Sequence, residues 1–177
     1  MRGKSFAIKQ AKRIATHYFP DIKKVTKKKL RKIAIDLGKV AKDLNIKIVS
    51  HDFSDDISGV FIRENNDLFI GVNNRHPEER KRFTIAHEIG HYLLHSSDIL
   101  HYDTAHLDSP TMVLYRANGN LSPNETNANA FAAELLMPEE YIDKCVKLGI
   151  LEIGSLADIF KVSEDAMRYR LANLGYI

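Results

Sequence analysis

The stretch Phe83-Thr84-Ile85-Ala86-His87-Glu88-Ile89-Gly90-His91-Tyr92-Leu93-Leu94-His95 governs the reading of the whole chain, because it contains H-E-x-x-H. On a helix, His87 and His91 stand one turn apart and point the same way. Two imidazoles so placed can bind one Zn²⁺ from a rigid scaffold, and Glu88 beside them can accept a proton from water. The motif needs a helix, and its surroundings supply one. His76-Pro77-Glu78-Glu79 reads as a start, with Pro at the first helical position and two carboxylates near the positive helix end. Phe83, Ala86, Ile89, Gly90, Leu93 and Leu94 then recur at helical spacing. A chance match would rarely carry both the start and the apolar face.

A catalytic zinc takes three protein ligands and keeps one position open. A third His at the spacing H-E-x-x-H-x-x-G-x-x-H is absent, since position 94 is Leu and position 97 is Ser. His95 continues the four-residue rhythm, but 3.6 residues per turn rotates it by roughly 80° from His87. A supporting or core role suits it better than ligation. A carboxylate from another helix remains, and Glu125 and Glu134 are the candidates, both in Asn124–Pro138, NETNANAFAAELLMP. Glu125 lies at the polar start of that helix. Asn129 follows one turn on, where an amide can orient a metal-bound His. Glu134 sits among alanines and leucines, so it is either a buried ligand or the exposed position of its turn. Side-chain chemistry favours Glu125.

Upstream of the motif, Ser5 to Tyr18 reads as a helix broken by Pro20 and Asp21. Thr26 can cap a second helix running to about Leu44, with Leu30, Ile33, Ala34, Leu37, Val40, Ala41 and Leu44 as its apolar stripe. Ile46 to Phe53, Ser58 to Arg63 and Leu68 to Asn73 read as strands. Glu64-Asn65-Asn66-Asp67 is turn chemistry that makes the last two an antiparallel hairpin. The edge of such a sheet can hold an extended peptide by main-chain hydrogen bonds.

Downstream, periodicity fades from Ser96 to Pro123, with Thr111 to Arg116 as a candidate short strand. The scattered Asp98, His101, Asp103, His106 and Asp108 match no ligand spacing. Pro138 ends the Asn124 helix, Glu139-Glu140 open another that runs to about Leu148, and Gly149 caps it. The tail LADIFKVSEDAM reads as helix, short turn, helix, with Ser163 as N-cap of a last helix ending near Asn173. No repeat or low-complexity segment is present.

The net charge of +3 hides an asymmetry. Residues 1–47 hold 15 Lys/Arg and 3 Asp/Glu, a balance of +12, whereas residues 48–177 hold 11 and 20, a balance of −9. A basic head on an acidic body fits nucleic acid, an acidic partner, or an intramolecular match of charges. No aromatic residues or glycine turns accompany the lysines, which disfavours nucleic acid and favours a solvated face. The single cysteine, Cys145, excludes an internal disulfide framework and points to a reducing compartment. Its apolar neighbours suggest a buried, inert thiol. No segment is apolar enough to span a bilayer, and residues 1–12 lack the apolar core of a secretory signal. These features suggest a cytoplasmic protein.

RFTIAHEIGHYLLH followed by ETNANAFAAELLMP resembles the ImmA/IrrE family of zinc-dependent metallopeptidases. The preceding SGVFIRENNDLFIGVNNRHPEERKRFTIAHE and the tail LADIFKVSEDAMRYRLANLG are similar to that family as well, so the resemblance spans about residues 28–177. It implies an α+β, zincin-like fold: a small antiparallel sheet packed on helices that carry HExxH and the third-ligand Glu, with helix-turn-helix-like helices at the C-terminus. One metallopeptidase domain over 1–177 is expected, made of basic N-terminal helices (1–47), the sheet and metal-site helices (48–138) and a C-terminal helical part (139–177). By position, the resemblance assigns His87, His91 and Glu125 to the metal and Glu88 to the general base. Where many members carry a further acid, this chain has Asn127. Zn²⁺ is the implied ion, with Mn²⁺ as the alternative. The implied substrate is a regulatory protein, typically a helix-turn-helix repressor of a mobile element or an antitoxin, often encoded next door. For the group that steadies the oxyanion, Tyr115, Arg116 and His95 are the candidates.

Three readings of function follow. The first is a site-specific metalloprotease. The second is a zinc-holding module that acts on a partner by contact, without proteolysis. The third is a DNA-binding regulator using the tail or the lysine face. The third is weakest, because the final helix offers only Arg168 and Arg170, which suits a packing element better than a recognition helix.

Overall fold

The computed structural model describes residues 3–30, 33–95, 100–104 and 122–177, the 100–104 segment as backbone. Helix α1 (Lys4–Tyr18) buries Ala7, Ala11 and Ala15 on one face, a stripe of small side chains that permits close packing. A 3-10 turn (Ile22–Lys24) and the short α2 (Lys27–Leu30) follow, then α3 (Leu37–Asp43).

The single helix expected from Thr26 to Leu44 is therefore two. Ile33, Ile35 and Leu37 are buried while Asp36 is exposed, an alternation that belongs to extended chain. The Asp36 side chain accepts a hydrogen bond from the Lys39 N–H (3.1 Å), which starts α3 afresh. Arg82 fixes the extended piece by donating to the Ile35 carbonyl at 3.1 Å.

Strands β1 (Ile46–His51), β2 (Ile57–Glu64), β3 (Asp67–Asn73) and β4 (Leu100–Thr104) form one sheet in the order β1-β3-β2-β4. The β2–β3 hairpin is antiparallel, as its turn chemistry predicts. Its two-residue loop, Asn65-Asn66, takes positive φ at both positions (46° and 77°), which Asn tolerates and which suits the strand twist. The small antiparallel sheet that the resemblance implies is found at β2–β3 and β2–β4, but β1 pairs with β3 in parallel, so the sheet is mixed. The short turn after β1 reverses the chain into β2, and the hairpin reverses it again. β3 thus runs in the direction of β1 and slots between β1 and β2. Asn73 secures that turn, its amide donating to the carbonyls of Ser54 (3.0 Å) and Ile57 (2.9 Å). Strand β4 was not anticipated, and the candidate strand Thr111 to Arg116 lies outside the described residues.

Helix α4 (Glu78–Leu94) lies across β2 and β3 and packs on its other side against α5 (Pro123–Leu136), which in turn packs on α1. Gly59 of β2 permits the first contact: a Cβ there would stand 2.3 Å from Thr84 Cγ2 and 2.9 Å from the Gly71 carbonyl. Tyr92 stacks on Phe61 of β2, ring centroids 5.5 Å apart. Three further helices close the chain: α6 (Glu139–Lys147), α7 (Ile153–Phe160) and α8 (Glu164–Leu174). Ser163 caps α8 by accepting from the Ala166 N–H, and Gly175 ends it at φ 79°. Phe131, Leu135, Leu136, Met137, Ile142, Phe160 and Met167 are buried in one hydrophobic core.

Candidate metal centre

Two helices build the site. In α4, Pro77 stands at the N-cap and Glu78 and Glu79 fill the first turn, where carboxylates suit the helix dipole. The buried face then presents Phe83, Thr84, Ala86, His87, Ile89, Gly90, His91 and Leu94, with Glu88 at 0% exposure among them. Helix α5 begins one residue earlier than the sequence suggests. Ser122 caps it by accepting from the Glu125 N–H (3.2 Å), and Pro123 takes the first helical position. That start places Glu125 in the first turn, at the polar mouth of an otherwise buried helix.

The two helices approach closely at Gly90. A Cβ at that position would stand 3.0 Å from Phe131 Cδ1 and 3.3 Å from both Cα and the carbonyl oxygen of Ala128. The glycine inside the H-E-x-x-H motif is thus where the backbone of α5 passes α4.

Across this contact the three ligand candidates meet. Nε2 of His87 and Nε2 of His91 are 2.9 Å apart. The Glu125 carboxylate reaches both, Oε2 at 3.2 Å from His87 and Oε1 at 3.0 Å from His91. The three ligand atoms lie within 4.8 Å of one another, so His87, His91 and Glu125 can hold a metal ion. Asn129 completes the arrangement, its Oδ1 2.9 Å from His87 Nδ1. A carbonyl oxygen only accepts, so Nδ1 carries a proton, and in the neutral ring Nε2 is the nitrogen left for an ion. Two imidazoles and a carboxylate, with one ring already in the tautomer that ligation needs, are a donor set that suits Zn²⁺.

Glu134, the rival ligand, is not in this group. Its carboxylate is buried beneath α8, where Arg170 binds it through Nη2 while Nε donates to the Met137 carbonyl (3.1 Å). Burial raises the Glu134 carboxyl above its ordinary value, and the Arg170 guanidinium pulls it back. Arg170 of the last helix is thus drawn into the interior, and its pairing with Glu134 is what sequence reasoning did not foresee. The available signal was a lone Glu in an apolar helix, since a buried carboxylate needs a cation. His95 ends α4, its ring 6.0 Å from that of His91, and is not one of the three grouped residues. Tyr115 and Arg116 lie outside the described residues, as do the side chains of Asp98, His101, Asp103, His106 and Asp108. Cys145 is buried, and burial pushes its thiol up to about 11. Among the described residues no helix is long and apolar enough to cross a membrane.

Comparison with known proteins adds three findings. A family model, Peptidase_M78 (IrrE N-terminal-like domain), matches residues 41–172. No curated protein sequence matches. Among solved structures, a Mycobacterium tuberculosis transcriptional regulator is similar at a TM-score of 0.58 and 18% identity, over 94% of this chain and 46% of its own. This chain therefore spans about half the length of that regulator, and at such identity the likeness shows the fold alone.

Proposed function

Because the chain belongs to the Peptidase_M78 family, whose model covers three quarters of it, we propose that it is a zinc-dependent metalloprotease that cleaves a regulatory protein. The observation that carries this reading is the meeting of His87, His91 and Glu125 within 4.8 Å. A bound Zn²⁺ would polarise the scissile carbonyl and acidify the attacking water, and Mn²⁺ is the alternative ion.

The chain's own residues supply the rest. His87 and His91 would hold the ion from one rigid face of α4, and Glu125 would hold it from α5. Asn129 keeps His87 in the tautomer that leaves Nε2 available. Glu88, next to His87 on the buried helix, takes the water proton and returns it to the leaving amine. The substrate lies extended along β4, the edge strand beside the β2 on which α4 packs, held by main-chain hydrogen bonds.

The substrate is a helix-turn-helix repressor or antitoxin, and the protein acts in the cytoplasm as one domain over residues 1–177. Direct nucleic-acid binding is no part of this reading, and α8 supports that view because its Arg170 is engaged with Glu134. The deciding experiment incubates the zinc-loaded protein with the helix-turn-helix protein encoded beside it and reads intact mass. Fragments with the native protein, and none with Glu88→Gln at equal zinc content, are expected. A stable complex without fragments would instead assign a zinc-holding module that acts by contact.

A further inference from the structure

A groove of about 930 Å³ lies apart from the metal group, between α2 and the turn that joins α6 to α7. Leu30, Ile150, Leu151 and Ile159 give it an apolar part, from the buried Leu30 to Leu151, which is 68% exposed. Lys27 and Lys28 line one side, and Glu152 and Asp158 line it from the α7 side. Among the described residues neither lysine makes an ion pair, although these carboxylates line the same groove. The turn holding Ile150 and Leu151 is fixed. Gly149, at φ 77°, donates to the Val146 carbonyl (2.9 Å) and Ile150 donates to that of Cys145 (3.0 Å), a glycine C-cap that closes α6.

We infer that this groove docks an amphipathic polypeptide segment of a partner protein, with an apolar stripe, acidic residues along one edge and basic residues along the other. The volume is enough for several side chains, and Leu151, exposed at its rim, offers them apolar surface to cover. The apolar residues gain from burying a leucine-like stripe, and the lysines and carboxylates that line the groove each find a counter-charge on the matching edge. A nucleic-acid backbone fits worse, because Glu152 and Asp158 repel phosphate and the apolar side chains offer it nothing. The inference is independent of hydrolysis, since none of His87, His91 and Glu125 lines the groove.

The test uses the full chain and three labelled peptides of about four helical turns. One carries a leucine stripe with a glutamate edge and a lysine edge. One has the same composition with the stripe scrambled. One keeps the stripe with lysines on both edges. A DNA duplex of about 20 base pairs is the fourth probe. Binding is read by fluorescence anisotropy and mapped by amide shifts at Leu30, Ile150, Leu151 and Ile159.

The two-edged peptide should bind at least about tenfold more tightly than the scrambled one and shift those amides. The double variant Lys27→Glu, Lys28→Glu, with unchanged circular dichroism, should lose about tenfold for that peptide and gain about tenfold for the all-lysine one. This exchange of preference is an effect that mere loss of structure cannot produce. Equal binding of the scrambled peptide, no exchange of preference, or duplex binding mapped to these residues without peptide binding would each overturn the inference.

Discussion

Oδ1 of Asn129 accepts the Nδ1 proton of His87 at 2.9 Å, and it does so from one turn beyond Glu125 on the same helix. One element, α5, therefore supplies both a candidate ligand and the group that orients another. Removing the acceptor should leave His87 free to turn or change tautomer without disturbing the fold. Asn129→Ala is expected to lower zinc affinity by about 10–100-fold, and Asn129→Asp, which keeps an acceptor, should recover most of it. Competition against a chromophoric chelator measures both. Identical losses in the two variants would argue that the contact does not act through the His87 proton.

Glu125 and Glu134 are nine positions apart on α5 and face different surroundings, so their removal should separate metal binding from stability. Glu125→Ala should strip most of the zinc from purified protein while the melting temperature of the metal-free form changes little. Glu134→Ala should keep the zinc but leave the Arg170 guanidinium buried without its carboxylate. Removing one partner of a buried pair costs about 3–5 kcal/mol. Metal analysis together with thermal unfolding decides, and the reverse assignment of effects would move the ligand to Glu134.

These contrasts show which parts of the molecule the sequence made legible. Local chemistry was readable: the period of α4, the Asn-rich turn of the β2–β3 hairpin, the cap at Ser163, and the pairing of H-E-x-x-H with a helix opening on Glu125. What escaped depends on partners far away in the chain. Ile33 and Leu37 fit a helical stripe with Leu30, Ala34, Val40 and Ala41, and only the burial of Ile35, off that stripe, marks the extended piece. The parallel pairing of β1 follows from where the hairpin inserts, which no single strand encodes. The partner of Arg170 could not be named from the tail alone, because Glu134 lies 36 positions away.

The buried thiol of Cys145 gives a pH-dependent prediction. Its native pKa, about 11, lies above the ordinary thiol value of 9.0, because burial disfavours the thiolate. The folded protein therefore holds this proton more tightly than the unfolded chain does. The group withdraws stability as pH rises from about 9 toward 11 and has no such effect below that window. Iodoacetamide at pH 8 should leave native protein unmodified for hours and alkylate it promptly in denaturant, as intact mass would show. Cys145→Ser should flatten the fall in denaturant midpoint above pH 9. Rapid native labelling would mean that the thiol is reached through opening of the core.

Gly90 and Gly59 both mark places where α4 is approached closely, yet they should fail in different ways. At Gly90 the obstacle to a methyl group is the backbone of Ala128 at 3.3 Å as well as the Phe131 ring at 3.0 Å. A ring can tilt, but helix backbone cannot, so Gly90→Ala must push α5 away from α4. Glu125 rides on α5 and His91 on α4, so the separation acts directly on the metal group. At Gly59 the added carbon meets Thr84 Cγ2 and the Gly71 carbonyl. The strain there falls between α4 and the sheet, on the side away from α5. Each substitution should cost about 1–3 kcal/mol in the metal-free protein, the range for overpacked cores. Only Gly90→Ala should also weaken zinc binding, by about tenfold, because only there does the displacement fall between the helices that carry His91 and Glu125. Thermal unfolding without metal and chelator competition with it separate the two effects. Equal zinc affinity in both variants would show that α5 can retreat from Gly90 while Glu125 still reaches both histidines.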